Sequence, residues 1–249
     1  MSAMLMTALF ATMVGTSFLS GIFGMAGGMI LVGVLLALLP VPAAMALHAI
    51  TQMASNGWRA FLWRHHISWR AAAIYLSGCA LAFVMWSFWL YVPPKPIAFI
   101  LLGLTPFLAR IVPADLKPDP TRIAHGAFYG SVCMTLMLLT GVSGPLIDTY
   151  FLGGNLGRRE IVATKAVCQT LSHTAKLVYF GGLVAQTATV DLPMASLAIL
   201  ASMLGTSLAR PVLDRLTDGQ YRRWATHIIT VIALTYLAQG SVLLLLSRS

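Results

Sequence analysis

The chain has 249 residues, 58% of them hydrophobic and only 9% charged, with a formal charge of +9. Soluble domains carry about 25% charged residues, so a water-soluble enzyme or binding module is excluded. The basic excess lies in short loops between apolar runs, where the positive-inside bias accounts for it without nucleic acid.

Apolar runs of roughly 20 residues recur at 3–22, 43–63, 71–91, 96–112, 123–140, 161–180, 192–209 and 224–246. Each is long enough to cross a hydrocarbon core of about 30 Å. They predict an all-α polytopic membrane protein with the lipid bilayer as its partner. The start, MSAMLMTALF, lacks the basic n-region of a cleaved signal, so 3–22 is expected to belong to the mature protein. Cys79, Cys133 and Cys168 fall inside apolar runs without metal-ligand spacing and read as small buried hydrophobes. No cofactor and no metal are expected.

The first run continues into GIFGMAGGMIL, residues 21–31, which carries Gly21, Gly24, Gly27 and Gly28. Glycine costs about 1 kcal/mol per residue in a helix interior relative to alanine. Irregular backbone at membrane depth is tolerated only inside protein or beside a water-filled cavity. The glycines therefore predict a turn whose amides face such a cavity, with a short helix from Met29 onward. Gly24 and Gly28 also match small-xxx-small spacing, which leaves close helix packing as a second reading.

The next run places His48, Gln52, Ser55, Asn56 and Arg59 at i, i+4, i+7, i+8 and i+11, one face of a helix. Much later, GVSGP (141–145) repeats the glycine turn, with a second short helix expected from Leu146. The run 161–180 repeats the stripe as Lys165, Gln169, Ser172, His173 and Lys176. One constant offset of 117 residues carries GMAGG (24–28) onto GVSGP and QMASNGWR (52–59) onto QTLSHTAK (169–176). Two separate polar motifs joined by one offset identify an internal repeat.

Loop charges orient the chain. The basic loops are 64–70, 110–122, 157–160 and 210–223; those nearly free of Lys and Arg are 40–42, 91–95 and 182–191. With the basic group in the cytoplasm, the pattern alternates if 3–39 and 122–156 each enter and leave on one side. The fold expected is two inverted-topology repeats, each with one glycine-broken, re-entrant segment plus three transmembrane helices. The first half-repeat is 1–112, a cytoplasmic connector 113–121 follows, and the second half-repeat is 122–249. Both termini are then periplasmic. Inverted repeats with broken helices near the midplane are a transporter pattern, and the breaks mark the binding site.

The candidate substrate-binding residues are Gly24, Ala26, Gly27, Gly28, Gln52, Ser55 and Asn56 in the first half. In the second they are Gly141, Ser143, Gly144, Gln169, Ser172 and His173. His48, Arg59, Lys165 and Lys176 extend the stripes as an anion pathway. Neither stripe contains an acid, and amide and imidazole donors flanked by cations suit an anion. Helix N-termini add to that preference. Asp148, the one acid in the middle of an apolar stretch, reads as a structural ion-pair partner of Lys165, Lys176 or His173, or as a proton carrier together with His173.

Two half-repeats, a glycine-rich turn in the first segment of each, and the small-polar helix after it resemble the sulfite exporter TauE/SafE family, also called the 4-toluene sulfonate uptake permease family. The resemblance covers nearly the whole chain. It implies a bacterial inner-membrane carrier, not an enzyme, for small sulfur-containing anions: sulfite, thiosulfate or organosulfonates such as sulfoacetate. The chain departs from the family pattern where Ala26 and Ser143 hold the third turn position and Pro145 replaces a glycine.

GVSG followed by His173 also resembles the serine–histidine dyad of rhomboid intramembrane proteases, with Ser143 as nucleophile and His173 as base. The first half repeats the turn without a serine, which argues for backbone geometry instead. An anion channel is the other alternative, since sequence does not separate channel from carrier. The oligomeric state is open, a homodimer included.

Overall fold

The computed structural model describes residues 3–23, 25–111, 118–184, 190–213, 215 and 218–247. Gly24, part of the connector (112–117), part of the loop 182–191 (185–189) and Ser249 lie outside the described residues.

Among the described residues ten α-helices follow one another: α1 (Ala3–Phe23), α2 (Met25–Leu38), α3 (Val41–Leu62), α4 (Trp69–Trp89) and α5 (Lys95–Ile111), then α6 (Ile123–Thr140), α7 (Gly144–Leu152), α8 (Arg158–Val178), α9 (Leu192–Leu213) and α10 (Asp218–Leu246). A 3₁₀ turn at Arg64–His66 and a π-helical turn at Tyr179–Val184 complete the described regular structure. No strand occurs among the described residues. Among the described residues, five helices are long and apolar enough to cross a membrane: α1, α4, α6, α9 and α10. Large apolar side chains point outward on them, such as Leu81, Phe88 and Trp89 on α4 and Leu234 and Leu245 on α10. This is a multi-pass membrane protein. Of the eight apolar runs, 43–63 and 161–180 become α3 and α8, whose length suffices but whose polar stripes dilute their hydropathy. The run 96–112 yields α5, a 17-residue helix with Pro106 inside it.

Local chemistry explains the boundaries. Pro40 caps α3 and Pro42 sits in its first turn, where a missing N–H costs no helical bond. Leu90 ends α4 in the left-handed region, its N–H bonded to Trp86 O at 3.0 Å, just ahead of Pro93 and Pro94. Glu160 accepts from the Gly157 N–H at 2.9 Å and so secures the start of α8. Gly141, the only glycine with positive φ among the described residues (+85°), ends α6, and its N–H bonds Met137 O. A side chain is strained in that conformation, which is why the chain turns there.

Helices pair across the molecule. α1 packs on α9, α6 on α4, α3 on α8 and α5 on α10. Small residues permit the closest approaches: an added Cβ on Gly205 would lie 2.3 Å from Val14 O, and one on Gly130 2.0 Å from Tyr75 O.

Contacts also separate two ends of the bundle. At one end the Ser68 N–H donates to Thr164 Oγ1 at 2.9 Å, which brings the basic loop 64–70 beside the first half of α8. Gly153 and Gly154 press on Pro118 and Pro120 at that same end. At the other end the Tyr179 hydroxyl donates to Tyr91 O at 3.0 Å, and Gly240 of α10 meets Pro96 in the first turn of α5. Among the described residues, the basic stretch 64–70 and the start of α8 thus lie at one end and the poorly charged stretch 91–95 at the other.

The short helices begin earlier than Met29 and Leu146. α2 starts at Met25 and α7 at Gly144, so Gly27 and Gly28 are helical and the chain breaks before them. Gly27 marks a crossing: a Cβ there would lie 1.8 Å from Thr16 O of α1. α7 has nine residues, about 14 Å of helix, and cannot cross a bilayer alone. It folds back on α6, with the Tyr150 hydroxyl beside Gly126 and donating to Pro120 O at 3.3 Å.

Candidate functional site

α3 and α8 run antiparallel and in contact, and their polar stripes meet. Where the second half of α3 faces the first half of α8, a cavity of about 310 Å³, its open mouth included, lies between them. Gln52, Asn56 and Arg59 line one wall, and Lys165 and Gln169 the other. Asp148 and Gly144 of α7, Ser20 of α1 and Met25 of α2 complete it. The first residues of both short helices therefore border one space. They meet closely: a Cβ on Gly144 would sit 2.5 Å from Met25 Cβ.

Hydrogen bonds fix most of the wall. Arg59 donates to Ser20 O at 3.3 Å and to Asn56 Oδ1 at 3.5 Å, tying α3 to the end of α1. The Asn56 amide donates to Gln52 O at 3.0 Å. Lys165 Nζ donates to Asp148 Oδ1 in a partly exposed ion pair, the pairing chosen from the three that the sequence offers. Two cations and one carboxylate leave the lining net positive, with neutral amides between them. The Ser20 and Ser143 hydroxyls are buried without a hydrogen-bond partner, an arrangement that costs free energy unless something else accepts from them.

The remaining stripe residues lie elsewhere. Ser55 hydrogen-bonds Thr206 of α9 at 2.8 Å, and Ser172 contacts Cys79 Sγ of α4 at 3.8 Å. Both hold neighbouring helices and do not line the cavity. His48, His173 and Lys176 gather in a second, closed group toward the poorly charged end. There Lys176 Nζ lies 2.6 Å from His48 Nδ1 and 3.0 Å from Gly141 O, while His48 Nε2 lies 3.0 Å from Gly28 O. Lys176 is wholly buried. His173 stands edge-on to His48 with ring centroids 5.4 Å apart, and its Nδ1 has no partner. Ala26 is buried in the first turn of α2.

A model of the sulfite exporter TauE/SafE family matches residues 9–236. The chain belongs to the sulfite exporter TauE/SafE family. No curated protein and no solved structure matches it significantly. The matched span runs from α1 into α10 and includes both stripes of this TauE/SafE protein. Membership and the apolar helices together support transmembrane transport of sulfite-type anions. The serine–histidine dyad is not formed: Ser143 Oγ bonds nothing, His173 included.

Ser20, Met25 and Thr206 were not legible as site or support residues. Ser20 is a lone polar residue in an apolar run, and its one signal is its place just ahead of the glycine break.

Proposed function

We propose that this TauE/SafE protein is a secondary transporter of small sulfur-containing anions, such as sulfite, thiosulfate or sulfoacetate, across a bacterial inner membrane. The observation that carries the reading is the cavity where Gln52 and Asn56 face Gln169 beneath Arg59 and Lys165. Its amide and cationic donors suit an oxyanion, and the unpartnered Ser20 hydroxyl belongs to a residue of its lining. The starts of α2 and α7 add the positive ends of two helix dipoles.

We read the two halves, 1–112 and 122–249 about the connector 113–121, as inverted repeats. The exchange of partners supports this: α1 takes α9 where α6 takes α4, while α3 with α8 and α5 with α10 pair across the halves. Under that symmetry Arg59 corresponds to Lys176 and His48 to Lys165. Arg59 and Lys165 border the cavity, while their counterparts Lys176 and His48 lie in the closed group, as a carrier open toward one face requires. The charge of the loops supports an open end in the cytoplasm and both termini in the periplasm.

The test is thermal stabilisation of the purified protein by sulfite, thiosulfate, sulfoacetate, sulfate and chloride. A ligand of the folded state raises apparent stability by mass action. Stabilisation by the sulfur oxyanions above that by chloride supports the reading, and an equal response to all of them sinks it.

A further inference from the structure

Lys176 is completely buried, and both of its hydrogen-bond partners are uncharged: the Nδ1 of His48 and the carbonyl of Gly141. No carboxylate pairs with it among the described residues, because Asp148 is engaged by Lys165. An ammonium without a counter-ion is among the costliest groups to bury. Such a group persists when it can shed its proton, or when an anion comes near enough to pair with it.

The bonding pattern is specific about where protons sit. The Gly28 carbonyl can only accept, so His48 Nε2 donates and His48 Nδ1 carries a lone pair. Lys176 gives one N–H to that lone pair and another to Gly141 O. His173 adds a second buried imidazole, with an Nδ1 that bonds nothing. An amine and an imidazole at 2.6 Å cannot both hold a charge, so the pair carries one charging proton at most. A proton also needs no room, which suits side chains already in contact.

The group is wired to the cavity. A Cβ on Gly28 would touch the Gln52 amide at 3.4 Å, and the carbonyl of that same glycine takes the His48 bond. Gln52 and Gln169 each lie one helical turn from the group, next to His48 and His173. The faces turned toward it are the Gly28 carbonyl from α2, His48 from α3, the Gly141 carbonyl from the α6–α7 break, and His173 on α8 itself. From α4, Cys79 contacts the neighbouring Ser172. Arg59 and the Lys165–Asp148 pair face the cavity side.

Resting on the anion-transporter reading above, we propose that the His48–His173–Lys176 group is a proton-binding site that loads one proton with each anion. An anion between Gln52 and Gln169 supplies the missing counter-charge, so the amine takes a proton from the open face. When the opposite face opens and the anion leaves, that proton departs with it. Asp148, the other proton carrier that the sequence offered, is held in its ion pair and does not serve.

The experiment adds thiosulfate to the purified full-length protein in weak buffer containing a pH-indicator dye, with binding followed in parallel by thermal shift. Thiosulfate does not itself titrate near neutrality, so any proton taken up belongs to the protein. The wild type should take up about one proton per bound anion. Lys176→Arg keeps the charge but cannot release it, and should bind thiosulfate with at most a fifth of that uptake. Lys176→Met and His48→Gln should behave alike where they fold, whereas Asp148→Asn, whose affinity is itself expected to change, should still take up about one proton per bound anion. Binding by the wild type without proton uptake overturns the proposal alone, as does uptake lost in Asp148→Asn and kept in Lys176→Arg. Absence of binding by any of the five anions overturns the transporter reading and this inference with it.

Discussion

Met25 and Gly144, the first residues of α2 and α7, stand so close that a Cβ on Gly144 would lie 2.5 Å from the Met25 Cβ. They border the same cavity, so any side chain at 144 pushes one helix start away from the other. Gly144→Ala is expected to fold and to lose at least tenfold in anion affinity, because Met25 is at the edge of the lining and can yield. Gly27→Ala should differ, since its Cβ would strike the Thr16 backbone at 1.8 Å. It is expected to lower the melting temperature by several degrees, about what 1–3 kcal/mol of overpacking produces. Thermal melts with and without thiosulfate separate the two. Equal affinity in Gly144→Ala and wild type would show that the helix starts do not shape the site.

Gln52 and Gln169 face one another across the cavity from antiparallel helices. A hydrogen bond to a charged group is worth roughly 1.5–3 kcal/mol, so removal of either amide should weaken binding about tenfold to a hundredfold. Ser55→Ala and Ser172→Ala, each three residues on from one of these glutamines, should leave affinity within about twofold, because their hydroxyls serve α9 and α4. Isothermal titration with the best-stabilising anion measures all four. A loss in the serine variants matching that in the glutamine variants would remove the distinction.

That contrast shows what the sequence could and could not reveal. Periodicity finds a polar stripe, and the constant offset of 117 aligns two such stripes, so the elements of the cavity were legible before any coordinates. A stripe on a helix is wide enough to serve several neighbours, and spacing does not say which. Ser55 and Ser172 turn to flanking helices, while His48, His173 and Lys176 close on the other side of the contact. The breaks were misjudged for a related reason. Glycine in a greasy run signals a turn and a close crossing alike; among the described residues only Gly141 has the positive φ of a turn, whereas Gly27 serves a crossing. Ser20 stayed hidden because its value lies in what packs around it.

The ion pair between Asp148 and Lys165 opposes an anion's field within the same lining. Asp148→Asn removes the only acid there and leaves Lys165 to the ligand. Thiosulfate affinity should rise several-fold at low ionic strength and the gain should shrink in high salt, where screening shortens to a few ångströms. The melting temperature of the unliganded protein should fall, because a partly buried lysine loses its partner. Affinity measured at two salt concentrations checks both. A fall in affinity would mean that the carboxylate takes part in binding directly.

The last prediction concerns sidedness. Cys79, Cys133 and Cys168 are all buried, so the native thiols form a silent background for labelling from water. His65 lies in the exposed turn at the end where Ser68 meets Thr164, and Lys95 begins α5 at the opposite end, where Tyr91 meets Tyr179. His65→Cys should react with a membrane-impermeant maleimide only in inside-out vesicles, and Lys95→Cys only in intact spheroplasts. α10 runs antiparallel to α5, with Gly240 beside Pro96, so its C-terminal end shares the face of Lys95. A cytoplasm-dependent reporter fused after Ser249 should then give no signal. Labelling of both cysteines from one side would contradict the span between them, α4, as a crossing helix. The reverse labelling of each would invert the charge-based orientation while leaving the site intact.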